Sequence, residues 1–266
     1  MKLTNYPSSL TDEQWAVIRR LLPKPSKRGR KPINRRLIID AILYVLRTGC
    51  QWRALPKDFP NWKTVYTVFW RWKKQGVWQR IHDALVRMLR KALGKKPTPS
   101  VCILDSQSVK TTQVGGPERG WDGAKKLFGR KRHLLVDTLG LIWNVCVHAA
   151  SVQDWEGAKR VLEPVLRRCR RLKVIFADSA YGKKGLPEWV KQFGRKVLQT
   201  VLRPVCGKGF VALPKRWIVE RTFGWLSHFR RLSKDYEYQP DTSETMILIA
   251  MIDLMSKRLA AIRARI

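Results

Sequence analysis

Two aspartates stand out by where they fall. Val101–Leu104 is an apolar run that ends on Asp105, in V-C-I-L-D, and Val174–Ala177 is a second that ends on Asp178, in V-I-F-A-D. Short apolar runs of this kind read as buried strands. In an α/β sheet, ligands bind in the crevice beyond the carboxyl ends of the strands. If the two runs are parallel neighbours, both carboxylates converge there. Like charges brought together raise each other's pKa and resist ionising. A divalent cation such as Mg²⁺ offsets that cost, takes oxygen ligands, and keeps positions open for water and phosphate. Asp also commonly closes a strand as a turn residue, so the pattern leaves both readings open.

A third acid, Glu220, lies in K-R-W-I-V-E-R-T-F-G-W-L-S-H-F-R-R-L. Helical spacing puts Ile218, Thr222, Trp225, Leu226 and Phe229 on one face, and Arg216, Glu220, Gly224, Ser227 and Arg231 on the opposite stripe. The plain reading, which the pattern slightly favours, is a solvated face with an Arg216–Glu220 pair one turn apart. The chemical reading is a helix that lays a carboxylate and two arginines against a metal-bound phosphate. Other polar residues have simpler accounts. Asp137 belongs to a D-T-L-G turn, and Asp154 is placed to cap a helix. His133 and His148 lie on strands as satisfied core or surface histidines. Ser106 and Ser108 have no base motif beside them. No G-x-x-x-x-G-K-[ST] loop occurs, so ATP use is not indicated.

The charge points to a partner. The 266 residues carry 54 Lys and Arg against 20 Asp and Glu, a net +34. A small domain kept soluble by charge needs a net magnitude of only about 2–8. A polyphosphate suits such a surplus, because each cation near a phosphate releases a counterion. Basic stretches at 24–36, 125–132 and 167–173 are placed to track a duplex backbone. The five cysteines are scattered without zinc spacing, which suggests a reducing cytoplasm. No apolar run approaches 18 residues, so no membrane span is expected. Most of the 12 Trp sit in apolar helical patterns and read as core.

The elements that must hold these residues fall into two parts. Residues 1–96 read as all-helical. Thr11 and Gln14 form a capping box, and a second helix carries Ile38, Ala41, Ile42, Val45 and Leu46 on one face up to Gly49. A third, over about 61–74, turns Val65, Phe69 and Trp72 inward and Lys63, Arg71, Lys73 and Lys74 outward. A fourth covers about 77–93. Helix, loop and basic helix are compatible with a helix-turn-helix-like DNA reader. After a linker at 94–100, residues 100–266 alternate short strands and helices. A polar loop over 111–130 precedes a hairpin of His133–Val136 and Leu141–Ala149. Helices are expected over 154–170, 186–193, 215–232 and 242–264, with a strand over 196–202. Paired strands followed by strand–helix alternation imply a mixed α/β sheet flanked by helices.

Long ordered motifs run through this frame: T-G-C-Q-W-R-A-L-P-x-D-F-P-x-W-x-T-V-Y, D-S-Q-S-V-K-T-T-x-x-G-G, G-W-D-G-A-K-K-x-x-G-R-K-R-H-L-L-V-D-T-x-G, A-D-S-A-Y-G and R-W-I-V-E-R-T-F-G-W-L-x-x-x-R-R-L. Over nearly the whole chain they resemble transposases of the insertion-sequence-five family. The resemblance implies a ribonuclease-H-like catalytic domain with an Asp-Asp-Glu triad at Asp105, Asp178 and Glu220. It implies two Mg²⁺ (or Mn²⁺) ions and cleavage and strand transfer at element ends. Related transposases carry a Tyr-Arg-Glu-Lys signature, of which only Arg216 and Glu220 are matched. Leu213 and Ser227 stand at the Tyr and Lys positions, and Arg230 or Arg231 could substitute on the phosphates. The partners implied are double-stranded DNA, as inverted repeats and target, and a second subunit in a homodimer or larger DNA-bound assembly, in the bacterial cytoplasm at the nucleoid. Candidate DNA contacts are Arg216, Arg230, Arg231, Lys63, Arg71, Lys73, Lys131 and Arg132. Two rivals remain. A DNA-binding repressor would find the three acids dispensable, and a structure-specific nuclease would cut without joining.

Overall fold

The computed structural model describes residues 6–24, 33–201 and 215–264. They divide into two compact units. One holds the chain up to Lys95, Ser227–Ser233 and the chain from Thr245; the other holds Lys96–Leu226 and Lys234–Glu244. The sequence reading gives the whole last helix to the second part. From Thr245 onward it is grouped with the first, and its Met246–Ile252 stretch is buried residue after residue.

The first unit is helical. α1 (Asp12–Ile18) starts at the capping box, with Thr11 Oγ1 accepting from Gln14 N and Gln14 Oε1 accepting from Thr11 N. α2 (Arg35–Thr48) ends at Gly49, whose φ of 75° is the left-handed stop that glycine supplies. α3 (Trp62–Lys74) buries Val65, Phe69 and Trp72, and α4 (Val77–Ala92) buries Trp78, Ile81, Leu85 and Leu89. The last helix, α8 (Pro240–Arg263), carries buried Asp253, which pairs with Arg47 at 2.7 Å and Lys257 at 2.9 Å. The basic stretch at 24–36 falls largely outside the described residues.

The second unit is a mixed sheet with helices against it. Its strands are β1 (Val101–Lys110), β2 (Gly120–Asp122), β3 (Leu127–Asp137), β4 (Ile142–Ala149), β5 (Val174–Asp178) and β6 (Val197–Val201). β1 pairs antiparallel with β3 and parallel with β5, and β5 pairs parallel with β6. β2 and β4 both pair with β3, β2 along Leu127–Gly129 and β4 along Arg130–Val136. α5 (Asp154–Arg168), α6 (Leu186–Gly194) and α7 (Trp217–Ser227) complete the unit's helices among the described residues.

Three expectations change here. Segment 111–130 is not all loop, because β2 and the start of β3 lie in it. β1 does not stop at Asp105; its backbone stays paired to β3 through Lys110. The helix expected over 215–232 ends at Ser227, and Arg230–Leu232 forms a separate 3-10 turn after Phe229 turns to extended backbone.

Candidate active site

The sheet's register brings the two aspartates level. Val101 pairs with Val174 and Ile103 with Phe176, a constant offset of 73 residues. Asp105 and Asp178 are the same 73 residues apart (178 − 105). Parallel strands in this register point equivalent residues to one side. Asp105 therefore sits where β1 and β5 part, beside Asp178 at the carboxyl end of β5. Asp178 Oδ1 accepts from Ala180 N at 2.9 Å and caps a short 3-10 turn, Ser179–Gly182, which is the turn role the sequence left open. Asp105 Oδ1 accepts from Ser106 N at 2.8 Å. Burial pushes the Asp105 carboxyl up to about 7, with the Asp178 and Glu220 carboxylates adding to the rise and Arg216 opposing it.

Glu220 lies on α7 and lines the same cleft as Asp105. It is exposed, one turn from Arg216 at 3.3 Å. The inner face of α7 buries Ile218, Val219, Thr222, Phe223 and Leu226. Its seat is the β3–β4 turn. Thr222 Oγ1 donates to Gly140 O at 3.0 Å, and Arg221, lying between the Trp217 and Trp225 rings, reaches Leu139 O. Gly140 has φ 79°, and a Cβ there would stand 2.8 Å from Thr222 Oγ1 and the Trp225 ring. Asp137 builds the turn as expected, accepting from Leu139 N and Leu141 N on Oδ1 and from the Trp143 indole on Oδ2.

Asp105 and Glu220 line a cleft of about 700 Å³, with Ser106, Ser108, Trp121, Asp122, Lys131 and Asp154 among its other walls. Asp178 is not in that lining. Among the described residues, no three His, Cys, Asp or Glu side chains close into a metal-holding group. The donor chemistry still suits a hard cation, since Asp105, Asp178 and Glu220 all offer carboxylate oxygens.

Asp154 is the cleft residue the sequence reading missed. It does not cap α5, whose cap position is Gln153, with no side-chain bond. Asp154 Oδ1 instead accepts from Ser106 Oγ at 3.0 Å and pairs with Lys131 Nζ at 3.0 Å. Behind it His133 Nδ1 and His148 Nε2 stand 2.8 Å apart, and burial holds His133 well below its usual pKa, so the pair is neutral core. Gly157 of α5 lets the helix lie on those rings; a Cβ there would come within 2.4 Å of His148.

The basic run Arg130–Arg132 behaves unlike the expectation. Arg132 is buried and donates to Lys234 O, so it presents no surface to a duplex. Lys131 is 7% exposed and committed to Asp154 and Val152 O at the cleft wall. Arg130 is fully buried, and its guanidinium donates to the carbonyls of Pro117, Glu118, Glu237 and Tyr238. The stripe of Glu220 also loses Arg231, which lies past the end of α7, is buried, and donates to Cys50 O. Arg230 is exposed on the same 3-10 turn. On α3, Lys63, Arg71 and Lys74 are exposed and Lys73 is half-buried. Of the 12 Trp, only Trp72, Trp78 and Trp143 are buried, against the core reading of most of them. No helix among the described residues is long and apolar enough to cross a membrane.

Comparison with known proteins agrees with this architecture. Residues 10–82 match the family described as putative transposases of the IS4/5 family, and residues 96–254 match the transposase DDE domain. An uncharacterized 16.2 kDa protein of insertion element IS402 from Burkholderia cepacia is 36% identical over 115 residues, 40% of this chain and 76% of that protein. Protein y4sN of Sinorhizobium fredii, also uncharacterized, is 37% identical over 79 residues, 29% of this chain and 63% of its own length. A putative transposase for IS402 is 29% identical over 120 residues, 42% of this chain and 56% of its own. With the DDE-domain match spanning more than half of the residues, the chain belongs to the DDE-domain transposases of insertion sequences.

Proposed function

We propose that this transposase cuts DNA at the ends of an insertion element and joins the freed end to target DNA, on a ribonuclease-H-like sheet. The observation that carries the reading is the register that sets Asp105 level with Asp178, with Glu220 on the wall of the same cleft as Asp105. Asp105, Asp178 and Glu220 would hold divalent metal, Mg²⁺ or Mn²⁺, as two ions. Bound there, the metal supplies charge to the attacking and leaving oxygens of an in-line displacement at phosphorus. The chain's own groups do the rest. Arg216 sits beside Glu220 to meet a phosphate oxygen, and Asp154 with Ser106 fixes the backbone that carries Asp105. The helical unit, with Lys63, Arg71 and Lys73 on α3, would grip duplex DNA, and Arg230 is a further phosphate contact. Two element ends call for a homodimer or larger assembly on DNA, at work in the bacterial cytoplasm and nucleoid.

The test is Mg²⁺-dependent cleavage and strand transfer on DNA carrying the element's inverted repeats. Asp105→Asn, Asp178→Asn and Glu220→Gln are each expected to abolish cleavage and leave end binding in place. Full cleavage by any one of them removes that residue from the triad.

A further inference from the structure

The register sets how far along their strands Asp105 and Asp178 lie, but not how far apart they stand. The β1–β5 pairing runs from Val101 with Val174 to Ile103 with Phe176 and goes no further. Beyond it the two strands part. β1 stays on β3 as far as Lys110 opposite Gly129, and β5 stays on β6 as far as Asp178 opposite Val201. Both acids therefore lie past the last β1–β5 pair, on strands drawn toward different neighbours. Mg²⁺ demands near-octahedral oxygen geometry, so two carboxylates that share it need a closely set gap. That gap calls for a tie across the fork.

Tyr181 is the side chain placed to make it. It lies on the 3-10 turn that Asp178 caps, and it is 1% exposed. Its ring stands edge to face with His133 at 5.9 Å between centres, and His133 is the β3 residue opposite Ser106 of β1. His133 is itself held by His148 at 2.8 Å, with α5 packed over both at Gly157. A ring that hangs from the β5 side of the fork is thus boxed in by the β1–β3 side. Its hydroxyl is buried and completes no hydrogen bond among the described residues, with the Ser106 hydroxyl beside it. Burial pushes the Tyr181 hydroxyl well above its usual pKa, so it stays a donor. Ser106 gives its own proton to Asp154 at 3.0 Å, which leaves its oxygen able to accept. Its backbone N–H holds Asp105 Oδ1. A buried hydroxyl without an acceptor is destabilising, and closing onto Ser106 removes that cost.

We propose that Tyr181 is a positioning residue whose hydroxyl donates to Ser106 Oγ and clasps the Asp178 turn to the Asp105 strand, setting the gap that a shared divalent cation must fit. This rests on the reading of the three acids as a metal site. Groups that orient metal ligands from behind typically change metal affinity by about 10- to 100-fold when removed.

The experiment titrates Mn²⁺ into the full chain and reads binding by electron paramagnetic resonance, without any cleavage step. Wild type, Tyr181→Phe, Ser106→Ala, their double variant and Asp105→Asn are compared, and each is also melted. Tyr181→Phe removes one oxygen and keeps the ring, so the packing against His133 persists. Its apparent Mn²⁺ affinity should fall about 10- to 100-fold, and its Tm should drop. In the Ser106→Ala background the same change should cost nothing more, because the contact is already gone. A hydroxyl that is only a buried orphan predicts the opposite, an unchanged affinity with a Tm equal to wild type or higher. The proposal is overturned by that outcome, or by a loss that is undiminished in the Ser106→Ala background. Asp105→Asn separates this from the reading beneath it. If wild type binds Mn²⁺ no better than Asp105→Asn, the metal-site reading fails and takes the clasp with it. If wild type binds better and Tyr181→Phe matches it, the clasp alone fails.

Discussion

Arg130 separates two readings of one basic run. In G-R-K-R-H it reads as a phosphate contact, yet its guanidinium is fully buried with four carbonyls at 2.7–3.2 Å. Two of those carbonyls belong to the segment before β2 and two to the segment before α8. Asp235, itself 1% exposed, lies 3.4 Å away. Arg130→Met keeps the volume and removes every donor. Each buried carbonyl left unpaired costs roughly 1–3 kcal/mol, though entering water relieves some of that. Removing one partner of a buried ion pair costs about 3–5 kcal/mol. The contacts form one network and do not add, so we take roughly 3–5 kcal/mol for the whole. At about 2–4 °C per kcal/mol in a chain of this size, Tm should fall by roughly 6–20 °C. Thermal melting with hydrogen exchange over 112–119 and 234–239 reads it. Lys125→Ala, at an exposed position, is the control and should melt as wild type. An Arg130→Met protein that melts as wild type while its DNA affinity and salt slope drop would make Arg130 a phosphate contact and refute the structural role.

Two further outcomes follow from buried groups. Asp40, inside α2, accepts from Leu10 N at 2.8 Å, but its other oxygen has no partner among the described residues, and burial pushes its carboxyl up to about 6. The folded state then holds a proton that the unfolded chain gives up near 3.8. Stability from this group is complete below about pH 4 and drains as pH rises to about 6, a loss on the order of 3 kcal/mol. Denaturation of wild type and Asp40→Asn across pH 4–7 should show a slope steeper in wild type by that amount, because the raised Asp105 carboxyl adds its own slope to both; equal slopes would assign it elsewhere. Gly140→Ala strains a φ of 79° and drives a Cβ against Thr222 and Trp225. It should cost roughly 1–3 kcal/mol and slow cleavage while DNA binding persists; an unchanged cleavage rate would show that the turn does not seat α7.

The elements with local causes were legible. Capping at Thr11, the left-handed stop at Gly49, the D-T-L-G turn and the helical faces of α2 and α3 all follow from residues within a few positions of one another. What failed depended on distant partners. A basic run looks alike whether it meets phosphate or protein carbonyls, and the carbonyls that claim Arg130 include two that lie 107 and 108 residues away. Asp154 has the composition of a cap, yet its bond is to Ser106, 48 residues earlier. The end of α7 was hidden because W-L-S-H-F-R-R-L contains no Gly or Pro and keeps helical periodicity past Ser227. Glu220 could not be told from a surface ion pair, and in the structure it does pair with Arg216.

The three acids are held by different devices, and their responses to change should differ. Asp105 and Asp178 stand level because β1 and β5 share a backbone register. A register cannot drift by a fraction of a residue; it holds, or slips and turns every side chain over. Substitutions around the sheet should therefore leave that pair in place until the sheet itself fails. Glu220 arrives on a helix seated through Thr222, Arg221 and Gly140 on a single turn, and a packed side-chain seat can shift by fractions of an ångström. Damage at that seat should degrade cleavage gradually while the sheet still melts normally. The acid least legible in the sequence is thus also the one whose place the rest of the chain can most easily adjust.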